Sequence, residues 1–143
     1  MVLNTDCFRD ILKYIEKHCI YEDTDRGRKM HNVSYNEICK ASELSEYDNE
    51  TKHYTITKLF EGNFINGHFI PQNKPETFTH AYITSLTLQG HSVLDNIKND
   101  TIWKKTKNML KGAGGVSLEV LVQTVSGIAN TFASSIMEGM GNS

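Results

Sequence analysis

Apolar residues recur near the start of the chain at the spacing of one helical face: Phe8, Ile11, Leu12, Ile15 and Cys19. This spacing predicts a first helix, with Asn4, Thr5 and Asp6 placed to cap it. From Ile20 to Val33 the pattern is charged and aperiodic, with Arg26, Arg28 and Lys29 around Gly27, and it reads as a loop. Ser34 followed by Glu37 has the form of a capping box, and Tyr35, Ile38, Cys39, Ala41 and Leu44 supply the apolar side of a short second helix. After a turn through Ser45, Glu46 and Tyr47, Asp48 opens a third helix that buries Tyr54, Ile56, Leu59 and Phe60 and ends at Gly62 and Asn63. Two helices joined by such a short turn make a helix-turn-helix candidate.

The period then changes from helix to strand. Phe64 to Ile70 and Phe78 to Leu86 are aromatic and branched, and Pro71 to Glu76 separates them with turn chemistry, so a hairpin is predicted. In its second strand, strict alternation puts Phe78, His80, Tyr82, Thr84 and Leu86 on one face and Thr79, Ala81, Ile83 and Ser85 on the other. Helical spacing returns with Val93, Leu94 and Ile97 after Thr87, then with Ile102, Trp103, Thr106, Met109 and Leu110 after Asp100 or Thr101. Gly112, Ala113, Gly114 and Gly115 break the chain. Ser117 opens a last helix with Leu118, Leu121, Val122, Val125, Ala129, Phe132, Ile136 and Met140 on one stripe.

Helix, helix-turn-helix and hairpin follow one another in the winged-helix order. The expected fold is therefore mainly α (α+β): a winged helix-turn-helix domain over residues 1–111 with a β-hairpin wing, and a glycine-linked amphipathic helix over 112–143. A length of 143 residues suits one core with an extension and is short for two ordinary domains. The start of the chain lacks the basic and apolar regions of a secretory signal, and Cys7, Cys19 and Cys39 form no CxxC pair. A cytoplasmic protein with free thiols is expected.

LNTDCFRDILKYIE (Leu3–Glu16) and LTLQGHSVLDNIKNDTIWKK (Leu86–Lys105) resemble an uncharacterised family of phage and prophage proteins, domain of unknown function 2513. The features that carry the resemblance are Asn4, Asp6, Cys7, Arg9, Asp10, Thr87, Gly90, His91, Leu94, Asp95, Ile97, Asp100 and Trp103. KLFEGNFI (Lys58–Ile65) looks like a helix-to-wing junction with Asn63 where glycine is usual. The resemblance reaches to about Lys111 and implies a winged-helix fold and phage association, and it brings no reaction or ligand.

Chemistry in the sequence is sparse. Cys7 and Cys19 lie about 120° apart on the first helix, and His68 with His80 makes only two ligands, so no metal or other cofactor is expected. Cys7 near a helix start reads as a small buried hydrophobe, and GAGG lacks the rest of a phosphate loop, so no catalytic residue is assigned. Thr87, Gly90 and Asp95 read as structural, the last bonding a backbone group or Arg9.

Charge is uneven. Met1 to Glu50 carries 7 Lys/Arg against 11 Asp/Glu, Thr51 to Lys111 carries 8 against 4, and Gly112 to Ser143 carries none against 2. Double-stranded DNA would therefore meet the middle, through Asn49, Lys52, His53, Thr57 and Lys58 of the third helix and Lys74 of the wing. A second cluster, Lys98, Lys104, Lys105, Lys107 and Lys111, reads as a solvated face. A DNA-binding regulator of phage or prophage type is the first expectation; the alternative is an adaptor that binds a host or phage protein. Homo-oligomerisation through the apolar stripe of the last helix is expected, against folding back on its own domain, and that helix lacks the Lys or Arg of a membrane-surface helix.

Overall fold

The computed structural model describes residues 2–70, 80–111 and 116–141; of Ile70, His80 and residues 136–141 it describes the backbone alone. Among the described residues the chain is mainly helical with two small antiparallel sheets. Helix α1 (Thr5–His18) starts where the Asn4 side chain accepts the Cys7 N–H at 2.9 Å. Its inward face seals Cys7, Phe8, Ile11, Leu12 and Ile15 in the core. Phe8 meets Phe64 edge to face, with ring centroids 5.9 Å apart.

The segment after α1 departs from the expected loop. Strands β1 (Tyr21–Thr24) and β2 (Gly27–Met30) form an antiparallel hairpin, turned at Gly27 with φ 106. Both strands are solvated, so no apolar alternation announces them. Opposite charges face each other across the pair instead, Glu22 with Lys29 and Asp23 with Arg28.

Strand β3 (Val33–Ser34) leads into α2 (Tyr35–Lys40), where the Glu37 N–H donates to Ser34 Oγ at 3.1 Å. Only this half of the capping box forms. The Glu37 carboxylate accepts the Tyr14 hydroxyl at 2.8 Å and lies 3.0 Å from His31 Nε2. The second helix is shorter than expected: Ala41 is extended, and Leu44 sits in a separate 3-10 turn, Ser42–Leu44. The path from α2 to α3 (Asn49–Glu61) thus takes more than the three or four residues of a tight helix-turn-helix. Asp48 caps α3 by accepting the Thr51 N–H at 2.7 Å, and Asn63 ends it with φ 61.

Strands β4 (Ile65–Ile70) and β5 (His80–Leu86) pair as expected, and β3 lies on the far side of β5, giving the order β3-β5-β4. A bulge corrects the predicted faces. Asn66 pairs with Ser85 but Gly67 with Ile83, so Thr84 is the extra residue. The parity of β5 flips there, and Leu86 is buried on the side of Ala81 and Ile83.

Thr87 opens α4 (Leu88–Ile97): its Oγ1 accepts the Gly90 N–H at 3.0 Å and donates to the Asn63 carbonyl at 2.7 Å. Helix α5 (Asp100–Leu110) is capped one residue earlier than expected, by Asn99, which accepts the Ile102 N–H at 3.1 Å. Leu94, Ile97 and Trp103 join the core formed by α1 and the sheet. Helix α6 (Leu118–Gly141) packs on α4 and α5, and its Leu121 and Val125 are sealed in that core. The stripe expected to meet another copy is therefore covered by its own chain over the first half of the helix. The glycine break at 112–115 lies outside the described residues. Among the described residues no helix is long and apolar enough to cross a membrane.

Candidate interaction face on α3

At about 100° per residue, α3 divides into two sectors. Thr55, Ile56 and Leu59 form the inner one, and Lys52 falls among them with 2% of its surface exposed. This overturns its expected outward position. The ammonium is sustained there because Nζ donates to the Cys39 carbonyl at 3.2 Å, in the last turn of α2, where helix carbonyls carry partial negative charge. Lys52 is a strut between two helices.

The other predicted contacts stand outward to different degrees. Asn49 is exposed, while His53 and Thr57 are half-buried, with the Thr57 hydroxyl donating to the His53 carbonyl at 2.9 Å. Lys58 is held by Glu61 at 2.9 Å and lies 5.4 Å from the Tyr54 ring centroid. The Glu61 hydrogen bond raises the Lys58 pKa, so the ammonium stays charged and engaged. Glu50 and Glu61 are exposed on the same side. Lys74 lies outside the described residues.

Beside these charges lies an aromatic cluster that sequence reasoning missed, with Tyr35 buried and His53, Phe60 and Phe69 half-buried. His53 meets Tyr35 edge to face at 5.9 Å and Phe69 at 6.4 Å, and Phe60 stacks on Phe69 at 5.1 Å. Its members come from α2, α3 and β4, so no local spacing brings them together; Tyr35 and Phe60 each carry only an apolar-face signal of their own helix.

The exposed basic residues gather elsewhere. Lys104 and Lys105 of α5 and Lys111 just after it are exposed and form no ion pair among the described residues, whereas Lys98 pairs with Glu16 and Lys107 with Asp6. Arg9 binds across the α4–α5 junction, from Nε to the Ile97 carbonyl at 2.8 Å and from Nη2 to Asp100 at 2.9 Å. Asp100, not Asp95, is thus the acid that meets Arg9, whose guanidinium carbon lies 5.5 Å from the Trp103 ring centroid.

Among the described residues no group of three or more His, Cys, Asp or Glu is arranged to hold a metal. Cys7 is sealed, and burial first of all pushes its thiol up to about 11, with the hydrogen bond to Thr55 opposing. Because the folded value lies above that of a free thiol, this group's contribution to stability is whole below about pH 9 and is lost as pH rises through about 11. At pH 8 a disulfide reagent should accordingly modify the half-buried Cys19 and Cys39 first and leave Cys7 unmodified until the chain unfolds. Rapid native labelling of Cys7, read by mass spectrometry of peptides, contradicts its sealing.

The family model described as Hypothetical protein (DUF2513) matches residues 2–117. The chain belongs to this family. It is similar to an uncharacterized protein of Haemophilus influenzae, with 36% identity over 52 residues, 36% of this chain and 42% of that protein. The matched region thus spans less than half of that relative's length. No solved structure matches. Several positions that carry the DUF2513 resemblance have structural partners: Asn4 and Thr87 cap helices, Arg9 joins α4 to α5, and Asp10 accepts the Tyr47 hydroxyl at 2.6 Å.

Proposed function

We propose that this DUF2513 chain is a winged-helix domain that acts as a non-catalytic interaction module, and that its partner on the α3 face is a protein. Support for the fold comes from the order of α1, β3, α2, α3, β4 and β5, with the first short strand added to the far edge of the hairpin. The observation that carries the functional reading is the withdrawal of positive charge from α3. A duplex reader needs cations aimed at phosphates. Here Lys52 is buried, Lys58 is held by Glu61, and Glu50 adds a further carboxylate. The half-buried rings of Phe60 and Phe69 beside carboxylates suit a partner that brings an apolar anchor with a basic rim. From the family resemblance, a phage or host protein is the class of partner.

A second reading, duplex DNA, draws on the same fold order and on the lysines of α5. Fluorescence anisotropy with a labelled duplex, across a salt series, separates the two. The expected result is no saturable binding at low salt by the folded chain. Binding that falls steeply with the logarithm of salt overturns the protein reading. If reversal of Lys104, Lys105 and Lys111 to Glu then abolishes it, α5 rather than α3 is the DNA surface.

A further inference from the structure

Burial falls away along α6. Leu121 and Val125 are sealed, Ile128, Ala129 and Phe132 are half-buried, and Thr131, Ala133, Ser134 and Ser135 are exposed. A helix of 24 residues extends about 36 Å at 1.5 Å per residue, more than twice the reach of the 11 residues of α5 on which it lies. An open groove of about 770 Å³ runs between these two helices, with Met109, Ile128 and Phe132 as its apolar wall and Lys105 at its rim. Met109 is 68% exposed there.

We infer that this groove seats α6 of a second copy of the chain, giving a two-fold dimer in which both grooves are filled. Charge favours that occupant. Residues 116–143 contain Glu119 and Glu138 and no Lys or Arg, whereas Lys104 and Lys105 of α5 and Lys111 just after it form no ion pair among the described residues. Only residues 111–117 separate the two helices, which keeps the end of α5 near the start of α6. With an antiparallel two-fold pairing of the long helices about Ile128, residue 138 of one copy falls level with residue 118 of the other. Glu138 of each copy then comes level with the end of α5, where Lys111 stands. The arrangement is self-complementary in charge, as an isologous interface requires.

Sedimentation of the full chain at micromolar concentration tests the dimer. A species of twice 16.2 kDa is expected. Lys111→Glu alone and Glu138→Lys alone should each weaken self-association about tenfold or more, and the two together should restore it. Circular dichroism and melting of each variant confirm that the fold is retained, and Phe132→Asp offers a charge-independent disruption. A full chain that stays monomeric at high micromolar concentration overturns the inference. So does a dimer indifferent to all three substitutions, or a monomer that binds phosphatidylglycerol vesicles through α6.

Discussion

Replacing Trp103 by Ala should lower the stability of the folded chain by about 3–5 kcal/mol, the range found when a buried aromatic leaves a cavity. The ring is 6% exposed and packs in the core that α1, the sheet and α4 share. Its loss also strips the apolar plane from beside Arg9, whose guanidinium spans the carbonyl of Ile97 and the carboxylate of Asp100. Since α6 rests on α5, the effect should extend beyond one helix. Urea denaturation followed by far-ultraviolet circular dichroism measures it. A midpoint equal to that of the natural chain contradicts this placement and makes α5 peripheral.

Gly90→Ala should cost about 3 kcal/mol or more, although alanine is ordinarily the better residue inside a helix by about 1 kcal/mol. A Cβ at this position would stand 2.0 Å from the carbonyl oxygen of Phe64. That oxygen belongs to the backbone and already accepts the Thr87 N–H at 3.0 Å, so it cannot swing aside as a side chain would. Relief requires α4 to lift from the start of β4, which separates Val93 and Leu94 from their neighbours in the core. Melting temperature reads the result: a fall of roughly 6 °C or more is expected for a chain of this size. An unchanged value would mean that α4 does not approach the strand so closely.

The two substitutions differ in how far the sequence foretells them. Trp103 falls on the apolar side of its own helix, so its burial is legible from spacing. Gly90 is conspicuous in the sequence, and close packing of its helix on the hairpin is a natural reading, but the atom it must avoid is carried by Phe64, twenty-six positions earlier. The interaction face shows the same division. Asn49, His53, Thr57 and Lys58 can be placed on α3 from the sequence, while the pairing of Phe60 with Phe69 needs the third helix and the hairpin already folded together.

The sequence by itself determines the elements whose signals are local. Asn4, Ser34, Asp48 and Thr87 each accept an N–H three residues ahead, and such bonds depend only on the chain nearby. Helical faces follow from a fixed angle per residue, which is why Phe8, Ile11, Leu12 and Ile15 of α1 and Ile102, Trp103 and Thr106 of α5 could be named without a structure, although Met109, expected on the same side of α5, is exposed. Tertiary structure decided what depends on distant partners. The β1–β2 hairpin buries neither face and leaves no apolar alternation; the extra Thr84 reverses the faces of β5 only in relation to β4. The first half of α6 gains its cover from α4 and α5. Lys52 is the sharpest case. Its angle on α3 puts it inside, whereas the cost of desolvating an ammonium ordinarily puts lysine outside. What tips the balance is a carbonyl thirteen residues away, at Cys39, which reaches the ammonium only when α2 and α3 have packed.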